Sequence, residues 1–71
     1  MTKINFTKDE IEYFIDKCMF NDELATILIL LNMNYSRIEV LMKLREKGFY
    51  MSERTLDRKI SFIKKKIIRV I

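Results

Sequence analysis

The chain has a single glycine, Gly48, and no proline among its 71 residues. Glycine and proline are the strongest local breakers of regular structure, and tight hairpin turns depend on glycine or asparagine. A chain almost free of both is built for helices that run until a cap stops them. "TKDE" at Thr7 to Glu10 has the form of a capping box, in which the Thr7 hydroxyl accepts from the amide three residues on and Glu10 reaches back. Ile11, Phe14, Ile15 and Cys18 follow at helical spacing, so a first helix is expected over about 8–19. Asn21 or Asp22 is the next N-cap, ahead of "ELATILILLNM". That run is apolar on nearly every side, and periodicity alone would also allow a buried strand. A lone strand has nothing to pair with, so a second helix is expected over about 23–32. "SRIE" at Ser36 to Glu39 is a second capping box and opens a third helix, to about residue 47. Gly48 stands where a left-handed C-terminal cap is wanted, and Ser52 caps a last helix. The expectation is an all-α, compact four-helix domain, one domain over 1–71, with an extra N-terminal helix before a tri-helical core from about residue 22.

The composition narrows the function classes. One cysteine, Cys18, rules out an intrachain disulfide, and without histidine a zinc site lacks its usual ligands. Cys18 reads as a small buried hydrophobe. No metal and no cofactor are expected. The first 20 residues are too charged for a signal peptide, and the apolar run from Leu24 to Leu31, broken by Thr26, is too short to span a bilayer. A soluble cytoplasmic protein without membrane contact is expected. Catalysis has little support, because there is no histidine for proton transfer, no glycine-rich phosphate loop and no serine with a base partner. Glu10, Glu12 and Asp16 read as dipole partners and solvated charge.

The net charge of +4 is unevenly spread. Residues 1–35 carry three basic against six acidic side chains, residues 36–51 four against two, and residues 52–71 seven against two. An acidic front and a basic back suit a domain that presents one end to a polyanion. Projection of the last helix at about 100° per residue puts Leu56, Ile60, Ile63 and Ile67 in one narrow stripe. Arg54, Arg58, Ser61, Lys65 and Arg69 gather opposite it, with Asp57 and Glu53 to one flank. A solvated helix back ordinarily mixes signs; this one holds no acid. Each cation can reach a phosphate, and arginine can also fork onto a guanine edge.

The segment "SRIEVLMKLREKGFYMSERTLDRKISFI" therefore reads helix, glycine turn, helix. It resembles the helix-turn-helix of the arginine repressor DNA-binding domain. There a hydroxyl cap and two apolar-periodic turns lead to "GF", two residues, Ser or Thr, two more, then Thr, an aliphatic residue, any residue, Arg, a polar residue and Ile. Ser36, Leu44, Gly48, Phe49, Ser52, Thr55, Leu56, Arg58 and Ile60 match without a gap. "SERTLDRKI" is also similar to recognition helices of other winged-helix repressors and of tri-helical response regulators. The resemblance covers about 28 residues closely, and about 45 if the second helix leads the core. It implies that Ser52, Thr55 and Arg58 face double-stranded DNA, with Asp57 beside them. Together with the charged face, the expected contact set is Ser52, Arg54, Thr55, Asp57, Arg58, Lys59, Ser61, Lys65 and Arg69, with Gly48 making the turn. Two departures limit the carry-over. "IIRVI" at the end offers no second strand, so the family's β-wing is expected to be absent or vestigial, and the arginine-binding domain is missing, so no corepressor is implied.

Hydrophobic residues make up 49% of the chain, and some look surplus to one small core. Phe62 projects toward the basic side, Ile68, Val70 and Ile71 form an apolar tail, and the second helix is apolar all round. A tiny domain using everything it has accounts for this; so does a homodimer, with Leu28, Leu31, Phe62, Ile68 and Ile71 as interface candidates. The homodimer is the expectation, because small DNA-binding domains gain specificity by reading two half-sites. The functional expectation is a small sequence-specific transcriptional regulator. A DNA-architectural or recombination accessory factor keeps the same fold, and a small phage-type protein gripping a transcription factor through Phe62 and the tail keeps the same surface. The abundance of Ile, Lys, Met and Asn fits an AT-rich genome, as in low-GC bacteria, their phages and mobile elements.

Overall fold

The computed structural model describes residues 6–70. Four helices follow in order, α1 Lys8–Lys17, α2 Asp22–Asn32, α3 Arg37–Glu46 and α4 Glu53–Val70. No strand occurs among the described residues, and Ile71 lies outside them.

Each helix begins on the cap its sequence offers. The Thr7 hydroxyl accepts from the Glu10 amide at 3.2 Å while the Glu10 carboxylate accepts from the Thr7 N–H at 2.8 Å. Ser36 and Glu39 repeat the exchange at 3.2 and 2.9 Å. Asn21, rather than Asp22, caps α2, its side-chain oxygen accepting from the Leu24 amide at 2.9 Å. The Ser52 hydroxyl accepts from the Thr55 amide at 3.2 Å. Each contact satisfies an amide that a helix start would leave orphaned.

The first three helices are followed by left-handed residues. Gly48, at φ 90°, closes α3: the Phe49 amide donates to the Leu44 carbonyl at 2.8 Å and the Gly48 amide to Arg45 at 3.0 Å. This is the paired hydrogen bonding of a Schellman stop. α1 uses the same device without glycine. Met19 stands at φ 54°, with Phe20 donating to Ile15 at 3.1 Å and Met19 to Asp16 at 3.2 Å. The first helix therefore stops at Lys17, two residues short of the sequence expectation. Asn34, at φ 66°, turns the chain after α2.

The core is organised around α2. Its Ile27, Leu28, Leu30 and Leu31 are buried, and α1, α3 and α4 all pack on it. From around it come Ile11 and Phe14 of α1, Val40 and Leu44 of α3, and Leu56, Ile60, Ile63 and Ile67 of α4, with Phe20 filling the α1–α2 link. α1 packs on α2 and α4 but does not reach α3. Phe6 ties the chain start to this arrangement, its ring edge-on to Phe14 at 4.8 Å and its amide donating to the Asn32 side chain at 2.8 Å.

The apolar girth of α2 thus has an internal cause. Leu28 and Leu31 are 0% and 1% exposed, so neither offers a surface to a second chain, contrary to the sequence expectation. Within the 24–31 run only Ile29 turns fully outward.

Two groups of measurements follow. Met19→Gly relieves a left-handed β-carbon at a side chain that is 87% exposed, and is expected to stabilise the domain by about 0.5–1 kcal/mol after glycine's entropic cost. Gly48→Ala meets no atom within 4 Å, so its expected loss of about 1 kcal/mol is purely backbone strain. Urea midpoints at constant m check both. The second group concerns Glu39, whose carboxyl the Ser36 amide and hydroxyl hold below the ordinary carboxylate value. A lowered folded-state value adds stability above the unfolded value and loses it as pH falls through the folded one. Melting temperatures taken from about pH 5 down to about pH 3 should therefore drop less in Glu39→Gln than in the native chain, since the amide oxygen still accepts from Ser36 but does not titrate.

Candidate nucleic-acid interface

α4 is the longest helix, and its two sides have separate tasks. Leu56, Ile60, Ile63 and Ile67 are buried as a stripe, so the helix is held with the opposite side outward. There Arg54, Arg58, Ser61, Lys65 and Arg69 are all exposed, as the helical projection requires. Of the three consecutive lysines, Lys65 alone is exposed, while Lys64 and Lys66 are partly buried. Among the described residues Arg54, Arg58, Lys65 and Arg69 form no ion pair.

Two ion pairs flank this face. Arg37, the first residue of α3, donates from one guanidinium nitrogen to both Asp57 oxygens at 2.7 and 2.6 Å. On the other flank Lys59 reaches Glu23 of α2 at 2.5 Å. Asp57 and Lys59 are two residues apart, roughly 200° around the helix axis. They moor α4 to α3 on one side and to α2 on the other. The Asp57 hydrogen bond, then its charge, holds the Arg37 guanidinium still more firmly protonated than usual.

The expected contact residues therefore divide. Arg54, Arg58, Ser61, Lys65 and Arg69 share the open face. Asp57 and Lys59 sit on its two edges, engaged with other helices. Ser52 and Thr55 stand at the start of α4, where the Ser52 hydroxyl caps the helix and donates to the Thr55 hydroxyl at 3.1 Å. Arg37 and Glu23 went unnoticed in sequence. The available signal for Arg37 was its place right after the Ser36 cap, where a basic side chain opposes the helix dipole and needs another reason to be there.

Arg54, Asp57, Arg58, Ser61, Phe62 and Lys65 line a shallow, open groove of about 410 Å³ along the exposed side of α4. Phe62 is 46% exposed in it, with the Lys66 ammonium 5.4 Å from its ring centre. Ile68 is exposed further along the helix.

Other chemistry finds little here. Burial pushes the Cys18 thiol up, against a smaller opposing pull from Lys66, which is the wrong direction for a nucleophile. Among the described residues no acidic or cysteine cluster could hold a metal ion, and no helix is long and apolar enough to cross a membrane. No known protein family, curated protein or solved structure matches the chain.

The moorings can be tested alone. Lys59→Ala leaves the Glu23 carboxylate, whose side chain is 24% exposed, without its partner. The expected cost is about 0.5–1 kcal/mol, read as a lower urea midpoint at unchanged m.

Proposed function

We propose that this domain binds double-stranded DNA in a sequence-specific way, laying the front of α4 in the major groove, and that it acts as a small transcriptional regulator in the cytoplasm, the host's if the chain is viral. The observation that carries the reading is the outward face of α4. Four cations without an ion pair among the described residues share it, and the acid that lines its groove, Asp57, is occupied by Arg37. Phosphates are the polyanion such a face fits. The α3–turn–α4 arrangement supports the same reading, as does the sequence resemblance of residues 36–63 to the arginine repressor helix-turn-helix. Arg54 and Arg58, one turn apart near the start of α4, are the candidates for guanine edges. Lys65 and Arg69, farther along, are suited to phosphates.

The domain works as a homodimer in this reading. Its longest dimension is 29 Å, short of the roughly 34–36 Å between half-sites one helical turn apart. With Leu28 and Leu31 committed to the core, Phe62 in the groove of the cationic face and Ile71 outside the described residues, Ile68 is the exposed apolar candidate for the dimer contact. Light scattering decides the oligomeric state.

Selection of bound duplexes from a random pool tests the function directly. Log affinity should fall linearly with log salt, by about 0.9 per phosphate contacted. Arg58→Ala should cost about 1–3 kcal/mol on the selected site and relax preference at one position. Lys65→Ala should weaken all sequences alike and lower the salt slope by about one. Equal losses on every sequence for Arg58→Ala, or salt-insensitive binding, contradict specific readout.

A further inference from the structure

Among the described residues Phe62 is the one hydrophobic side chain lining the α4 groove, beside Arg58, Ser61 and Lys65. It is kept out of the core by its position, since Ile60 and Ile63 occupy the buried stripe on either side of it. The Lys66 ammonium lies over its ring at 5.4 Å, a cation–π contact that steadies the ring on the helix surface. A phenyl ring so placed has nothing to offer a phosphate oxygen or a base-edge donor. The apolar group that the bases do present in the major groove is the 5-methyl of thymine.

We propose that Phe62 is a specificity-determining residue that packs against the 5-methyl group of a thymine, a step that rests on the DNA-binding reading above. The spacing is suitable. Phe62 lies four residues beyond Arg58 and eight beyond Arg54, about 6 and 12 Å along the helix. At about 3.4 Å per base step, the thymine falls two to four steps from the bases those arginines can reach. Lys65, in the same groove lining, holds a flanking phosphate and brings the ring down onto the base edge.

The test replaces thymine by uracil, which pairs identically and lacks only the methyl. Duplexes carrying the selected site are synthesised with one thymine at a time changed, and the full chain is titrated onto each at fixed salt. The native chain should bind about fourfold more weakly when one particular thymine, or its symmetry mate, is demethylated. Phe62→Ala should bind the unmodified site more weakly by a similar factor and be indifferent to uracil there. Phe62→Leu, which keeps an apolar tip, should retain part of the discrimination, and matching melting temperatures show that both variants are folded. The proposal is overturned if the native chain ignores uracil at every thymine, or if Phe62→Ala still loses the same factor. Tighter binding to single strands than to duplex overturns it too, because the ring would then be stacking on bases. Failure to bind any duplex at low salt removes the DNA-binding reading along with it; specific binding without methyl sensitivity removes only the role of Phe62.

Discussion

Everything in the domain depends on burying α2. Helices of 10 or 11 residues, as α1, α2 and α3 are, are marginal in water on their own, and among the described residues there is no disulfide and no cluster able to hold a metal. What holds them is a central helix with apolar side chains around most of its circumference, wrapped by the other three. Each fully buried aliphatic side chain contributes about 1.5–3 kcal/mol relative to exposure. Ile27, Leu28 and Leu31 act with the rest of the buried core, from Ile11 and Phe14 to Ile63 and Ile67, against the chain entropy lost on folding. The same burial removes these residues from the surface and leaves charged helix backs outside.

Local features were legible in the sequence because they are local. The two capping boxes, the Gly48 stop and the Leu56–Ile60–Ile63–Ile67 stripe all involve residues within a few positions of one another, and the structure places each as expected. The exposed set Arg54, Arg58, Ser61, Lys65 and Arg69 follows from the same periodicity. Met19 could not be read as a helix stop, since methionine carries no preference for the left-handed region. Leu28 and Leu31 looked surplus because an all-round apolar helix reads alike whether wrapped by its own chain or by a second one. Only the number of neighbours that α2 has in space decides between these.

The ion pairs were the other illegible part. Nothing in the sequence says that Arg37 meets Asp57 across 20 positions, or that Glu23 meets Lys59. Pairs as accessible as these, more so Arg37–Asp57 than Lys59–Glu23, contribute about 1 kcal/mol or less to stability. Their effect is angular: one pulls α4 toward α3 and the other toward α2. A helix held only by an apolar stripe can roll slightly on a soft surface. With both flanks moored, the direction of the Arg54–Arg58 row is set within the domain itself.

The packing of α1 on α2 and α4, without reaching α3, bears on how the molecule opens. If α1 peels away, the chain loses the cover of Ile11, Phe14 and Phe20 and the Phe6–Asn32 tether. The α3–α4 packing, the Gly48 turn and both moorings stay intact, because none of them passes through α1. An opening of that kind would let the amides of the outer helix exchange ahead of those in the other three helices. The surface of α4 lies within those three.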